Sequence, residues 1–412
     1  MTGPAPREAS RAAFGFIFVT VLLDMLAFGI IIPVLPKLVM QFQGGNPSSA
    51  AHVLGVFGTV WAAMQFVCAP IIGSLSDRFG RRPVILASIA GLGADFVLMA
   101  VAPTLTWLFI GRVLSGMTAA SFSTAGAYIA DVTPPEKRAA KFGMLGAAFG
   151  IGFIVGPAAG GFLGAYHLRA PFWVSAALAF TNAVYGVFVL PESLPRERRT
   201  AFRWRRANPL GSLKLLRSHH ELFGLAMVLL LYFLAHNSLP TMFVLYADYR
   251  YHWNERTVGA VLALVGVCSM VVQAGLVGRV VGWFGERLTL CVGLIFGATA
   301  YGVYGAAATG MLFLLGVPFG SLMGIVSPAM QSLMSRRVSP SEQGQLQGAN
   351  GSIMAISGLI APTLFTQAFA LGISPSRGWN LPGAPYLVAS ALALAACVVA
   401  WWVTRPRAST PA

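Results

Sequence analysis

Twelve long apolar runs dominate this 412-residue sequence and decide what solvent it can fold in. A helix needs about 20 largely apolar residues to cross a bilayer. Residues 14–36, 52–73, 84–102, 105–130, 141–165 and 171–190 meet that need in the first half. Residues 221–247, 257–281, 288–308, 310–335, 344–371 and 383–404 meet it in the second. Helices are expected, because each satisfies its own backbone polar groups inside lipid. The alternating pattern of a membrane barrel is absent from the sequence. Only 10% of residues are charged, against about 25% in a soluble chain, so the chain cannot cover a water-facing surface. The sequence thus predicts an all-α membrane protein of twelve transmembrane helices.

The net charge of +15 invites a nucleic-acid reading, and its distribution argues against one. With the N-terminus in the cytoplasm, 22 of the 28 Lys and Arg residues fall in cytoplasmic segments. Only Lys37, Arg169, Arg250, Arg256 and Arg377 fall outside, and Arg112 lies within a span. That asymmetry is the positive-inside bias of a multi-pass protein, with both termini expected in the cytoplasm. The four cysteines, Cys68, Cys268, Cys291 and Cys397, all lie in apolar runs and show neither a disulfide framework nor metal-ligand spacing. No cleavable signal is expected, since the first span is too long and no small-residue cleavage pattern follows it.

A single long polar connector, rich in Arg and Pro, divides the chain, giving expected domains at 1–190 and 219–412 with a basic linker at 191–218. Around Arg203 to Leu216 the linker fits either a basic amphipathic helix on anionic lipid or a plain tether. The two halves echo each other at an offset of 205. Gly73-Ser-Leu-Ser-Asp-Arg-Phe-Gly80 answers Gly278-Arg-Val-Val-Gly-Trp-Phe-Gly285, and Gly143, Pro157 and Pro135 answer Gly348, Pro362 and Pro340. Duplication of a six-span unit predicts two pseudo-symmetric six-helix bundles around a central cavity.

The loop after the second run reads GSLSDRFGRRP from Gly73 to Pro83, with Asp77, Arg78, Gly80, Arg81 and Arg82 at its charged and turning positions. Glycine permits a sharp turn between helices, and the charges can pair with groups at other helix ends. A generic basic loop would fit the same physics. The fifth run places Gly152, Gly156, Gly160 and Gly164 four apart on one helix face, with Pro157 and Gly161 beside them. Such a stripe permits close helix approach, and the proline can bend the helix.

The Gly73–Pro83 string resembles the signature loop of the major facilitator superfamily, and Gly-Pro-x-x-Gly-Gly at Gly156–Gly161 resembles the antiporter motif of its drug exporters. Through nearly the whole chain the sequence is similar to the tetracycline/proton antiporter family. LLDMLAFGIIIPVLPKL places Asp24 at an acidic position of that family, GADFVLMA places Asp95 at a second, and GRVLSG supplies Arg112. Asp131 continues the match, and Gln65 and Gln273 stand where that family lines its cavity. The resemblance implies the major facilitator fold and proton-driven drug export. Two positions depart from the family pattern: Gly297 replaces an acid in the ninth span, and Ser269 replaces a histidine four residues before Gln273. Both are linked to handling a cationic metal–tetracycline complex, so tetracycline is one candidate substrate among several.

Ionisable groups inside spans cost roughly 2.5–3.5 kcal/mol on insertion scales and are functional candidates by default. Asp24 lies near mid-depth, where low dielectric disfavours the charged form, as a proton carrier requires; a permanently hydrogen-bonded, structural acid is the alternative. Asp95 and Arg112 come out at similar depth in adjacent antiparallel spans and are expected to meet as an ion pair, structural or gated by protonation. The second half offers only His236 beside Asn237, either a second titrating group or a cavity-lining one.

The expected function is a proton-coupled efflux antiporter for drugs or related small organic molecules. It would act as a monomer in a bacterial inner membrane, with no cofactor or metal. A metabolite or sugar exporter and a proton-coupled importer remain open on the same fold. A membrane enzyme or receptor finds no catalytic constellation in the sequence.

Overall fold

The structure, a computed structural model, describes residues 6–118, 121–200, 220–339, 342–375 and 378–405. The possible amphipathic segment Arg203–Leu216, Pro340 and Arg377 therefore lie outside the described residues. Sixteen α-helices carry the described chain. They are α1 (Pro6–Ile31), α2 (Leu35–Phe42), α3 (Pro47–Phe79), α4 (Arg81–Val101), α5 (Leu105–Thr118), α6 (Ser121–Val132), α7 (Pro135–Tyr166), α8 (Ala170–Val189), α9 (His220–His236), α10 (Ser238–Tyr251), α11 (Glu255–Val271), α12 (Val277–Ala306), α13 (Gly310–Leu322), α14 (Val326–Ser335), α15 (Gln343–Gly372) and α16 (Ala384–Val403). No strand occurs among the described residues.

Ten stretches of the described residues are helical, long and apolar enough to cross a membrane. The other two expected runs are helical wherever they are described. In the run 105–130, α5 and α6 flank residues 119–120, which lie outside the described residues, and the run 257–281 passes through a π-helical turn at Val272–Leu276 between α11 and α12. Other interruptions have local causes. Pro33 lies in the turn between α1 and α2, and Pro36 sits in the first turn of α2, where its missing amide hydrogen is not needed. At Gly80 (φ 107°) and Gly285 (φ 69°) the backbone enters a region that β-carbon-bearing residues avoid, and the chain turns there from one span into the next.

The described helices fall into two compact units, each made of three stretches of the chain. The first holds residues 1–45, 60–209 and 253–266; the second holds 46–59, 210–252 and 267–412. Each unit thus contains the opening segment of a helix, α11 or α3, whose remainder belongs to the other.

Lipid tails are as apolar as leucine, so packing density and small residues hold such units together more than burial from water does. In the first unit Phe14, Ile17 and Val21 of α1 pack with Ile85 and Ile89 of α4, Tyr128 and Ile129 of α6, and Leu145 of α7. In the second, Tyr304 stacks on Phe313 at 4.3 Å between centroids, and Tyr246 donates its hydroxyl to the Tyr304 carbonyl at 2.8 Å. Large apolar side chains such as Phe188, Leu315 and Val398 remain exposed, as lipid-facing surfaces demand.

Candidate functional site

The glycine stripe of α7 is a surface for backbone-to-backbone contact. A β-carbon on Gly152 would stand 2.5 Å from Cβ of Met25, and one on Gly156 would stand 2.7 Å from Cα of Gly29. Gly160 lies against the Ile30 carbonyl, and Gly164 against Val34. One face of α7 is therefore moulded to α1 along about three turns, beginning beside the residue that follows Asp24. The neighbouring face meets the opening segment of α11: Gly161 lies against Glu255 and Gly259, and Gly259 against the Pro157 carbonyl. The second unit repeats the arrangement 205 positions on, where Pro362 of α15 stands 2.7 Å from a β-carbon built on Gly58 of α3.

At the end of that interface Lys37 pairs with Glu255 at 3.3 Å and donates to the Trp253 carbonyl at 3.1 Å. The Arg256 guanidinium lies over the rings of Phe162 and Tyr166. Sequence reasoning placed Lys37 only as an outer-loop cation, because the pattern of a single span carries no trace of a partner 218 positions away.

Asp24 is buried in α1, and Asn182 of α8 donates to its Oδ1 at 3.3 Å and to the Thr20 carbonyl at 2.8 Å. An asparagine within the run 171–190 was the available signal for this neighbour. Asp95 of α4 is fully buried, and the polar groups that act on it are Ser115 and Arg112 of α5.

The expected direct ion pair between Asp95 and Arg112 does not form. Arg112 of α5, also buried, carries its guanidinium over the Trp61 ring at 5.4 Å from the centroid, a cation–π contact. Asp95 turns instead toward the surface left bare by Gly111, where its Oδ1 lies 2.9 Å from the place of a β-carbon. The two charges still attract each other through the low-dielectric interior without touching.

The remaining candidates are divided between the units. Gln65 is half-buried on α3 in the first. His236, at the end of α9, is accessible and stacks on Tyr232 at 5.8 Å, and Asn237 donates to the Phe233 carbonyl at 2.8 Å. Ser269 is half-buried near the end of α11, and Gln273 is exposed within the π-helical turn. Gly297, where the antiporter resemblance calls for an acid, faces Met323, whose Sδ stands 2.5 Å from the place of a β-carbon. Any side chain there would first have to displace that thioether. Among the described residues no group of three or more metal-ligating side chains assembles.

The signature loop is the densest polar cluster. Arg81 donates Nε to Asp131 at 3.0 Å and Nη1 to Ser76 at 2.6 Å, and pairs with Asp77 at 2.6 Å. Arg78 lies over the Phe79 ring at 5.0 Å, Arg82 donates to the Val187 carbonyl, and Gly73 has open space beside it. The first ten residues of the linker fold back over this loop. Glu192 accepts from the Arg81 amide at 2.9 Å, Ser193 donates to Asp131 at 3.2 Å, the Thr200 amide donates to the Asp77 carbonyl at 3.1 Å, and Tyr128 donates to the Pro191 carbonyl at 3.0 Å. The second unit carries a smaller counterpart, in which Glu286 pairs with Arg336 at 2.5 Å and accepts from Ser332 at 3.2 Å.

Residues 17–362 match the profile of the Major Facilitator Superfamily. The chain is 37% identical over 382 residues to the class C tetracycline resistance protein of Escherichia coli, covering 92% of this chain and 96% of that one. It is 27% identical over 368 residues to multidrug resistance protein 2 of Bacillus subtilis, covering 88% and 90%. Among solved structures, the human organic anion transporter MFSD10 superposes with a TM-score of 0.70 at 23% identity, over 95% of this chain and 99% of that one, a likeness of fold alone.

Proposed function

Because this chain belongs to the major facilitator superfamily, we propose that it exports drugs or related small organic molecules in exchange for protons by alternating access. The supporting observation is Asp95, a fully buried carboxyl group in a membrane-length helix that makes no direct ion pair with the neighbouring Arg112. Such a group is an expensive feature of a span unless it takes up and gives up a proton. Asp24, which accepts a hydrogen bond from the neutral Asn182, is the second carrier in this reading. Arg112 answers the charge of Asp95 when its proton leaves, and His236 is a third candidate for proton coupling. Gln65, Asn237, Ser269 and Gln273 supply polar contacts to substrate.

The names of the relatives favour tetracyclines as the first substrates to try, and the multidrug relative favours a wider range. Met323 packed against Gly297 argues for the wider range, since the second unit offers no acid there to a cationic complex. In this reading the protein is a monomer of the cytoplasmic membrane, with bundles at 1–190 and 219–412, a linker at 191–218, and both termini in the cytoplasm. The cluster around Arg81 and the glycine interface of α7 hold individual transport states. Each ligand shifts those states only by its differential affinity for them.

Proton release on adding substrate to weakly buffered, detergent-purified protein tests the proposal. Magnesium tetracycline is tried first, then a panel of cationic and neutral drugs. Release that is abolished in Asp24→Asn or Asp95→Asn, with both variants folded, is the expected result. Release at the wild-type level in both would overturn the assignment of the carriers. No release with any drug from folded wild type would favour a metabolite exporter.

A further inference from the structure

A cleft of about 560 Å³ opens beside the signature loop, between the start of α4 and the folded-back linker. Arg82, Arg196 and Arg199 line it together with one carboxylate, Glu192, and the apolar side chains of Phe79 and Leu86. Glu192 is already committed. Its Oε1 accepts from the amides of Arg81 and Leu194, and its Oε2 lies 3.7 Å from Arg199. Three guanidinium groups against one occupied carboxylate leave two positive charges facing the cleft. The buried Nε atoms of Arg82 and Arg199 have no hydrogen-bond partner among the described residues.

The surroundings indicate what kind of anion fits. The cleft sits where α8, a helix of membrane-crossing length, ends and the polar linker begins. Val184, Val187 and Phe188 of α8 are exposed there, and Leu86 packs on Gly186 of the same helix. A polar cradle at the rim of an apolar helix face suits a phosphate group with acyl chains attached. Guanidinium forks match phosphate oxygens in geometry as well as charge.

We propose that this cleft binds the phosphodiester headgroup of an anionic phospholipid, with Arg196 and Arg199 as its principal ligands and the acyl chains along the end of α8. The lipid would brace the linker segment Pro191–Thr200 over the signature loop, and its binding does not depend on which molecule the protein transports.

The test uses the full chain, Arg196→Gln/Arg199→Gln, and a control that removes two cations elsewhere, Arg250→Gln/Arg405→Gln. Each is purified and examined by native mass spectrometry after incubation with phosphatidylglycerol or phosphatidylcholine. Melting is followed in nanodiscs of phosphatidylcholine with and without phosphatidylglycerol. The wild type and the control should retain phosphatidylglycerol and melt higher in its presence. Retention in the cleft variant should fall about tenfold or more, and its melting should ignore the lipid. If the double variant does not fold, Arg196→Gln alone serves, since Arg196 is exposed. Equal retention by cleft variant and control would overturn the proposal. So would an equal rise in melting temperature from inorganic phosphate in detergent, which would make the site one for a soluble anion.

Discussion

Arg81 and Glu286 stand 205 positions apart and play the same part with opposite charge. Arg81 holds Asp131 at 3.0 Å, and Glu286 holds Arg336, itself 205 positions after Asp131, at 2.5 Å. The duplicated units have kept an ion pair at the same place and reversed its polarity. The surroundings differ more than the geometry. The Arg81 side chain is 11% exposed and engages Ser76, Asp77 and Asp131, whereas the Arg336 side chain is 71% exposed.

That difference predicts unequal costs. Arg81→Ala removes a buried donor from Ser76, Asp77 and Asp131, of which only Ser76 is itself buried, and should destabilise the protein by about 1–3 kcal/mol. Arg336→Ala breaks a solvated pair and should cost under about 1 kcal/mol. Thermal unfolding in one detergent compares them, and equal losses would contradict the assignment.

Asp95→Asn keeps the shape of the side chain but withdraws the charge that faces the buried Arg112, so the fold should survive at a cost of about 1–3 kcal/mol. Drug-dependent proton release should be lost all the same. Unfolded protein on purification would mean that Asp95 is structural and that the proton assignment fails.

Gly156→Ala puts a methyl group 2.7 Å from Cα of Gly29 and forces α7 off α1. Overpacking of this kind costs about 1–3 kcal/mol, and the yield of folded protein should fall. Gly146→Ala, on the same helix but with open space around it, should be tolerated. Expression and melting temperature of the two variants side by side make the comparison.

Glu255→Gln removes the carboxylate of the Lys37–Glu255 pair, whose side chains are only 14% and 18% exposed. It should cost about 1–3 kcal/mol. Lys37→Met/Glu255→Gln should cost less than the two single substitutions together, because no charge is then stranded. A thermodynamic cycle over the four proteins measures the coupling, and strict additivity would remove any energetic role for the pair.

Spans and close-packing faces were legible because they are periodic. Apolar run lengths gave the membrane crossings, and four-residue spacing gave the α7 stripe from Gly152 to Gly164. What went unread was rotation about helix axes and the path of aperiodic chain. Depth alone put Asp95 level with Arg112, yet Arg112 turns to Trp61 and the two do not touch. The linker residues Glu192, Ser193 and Thr200 follow no repeat, so their fold-back onto Asp77, Arg81 and Asp131 left no mark in the sequence. Lys37 and Glu255 are charges in separate loops until the helices place them 3.3 Å apart.

The exchange of helix openings between the two compact units sets a schedule for biosynthesis. The first unit needs residues 253–266 to cover Pro157 and Gly161, and these leave the ribosome only after the linker and two further helices have been made. At about 5–20 residues per second, the nascent first half waits several seconds or more with that glycine face bare in the bilayer. The close approach of Gly161 to Gly259 can therefore form only once synthesis of the second half is under way.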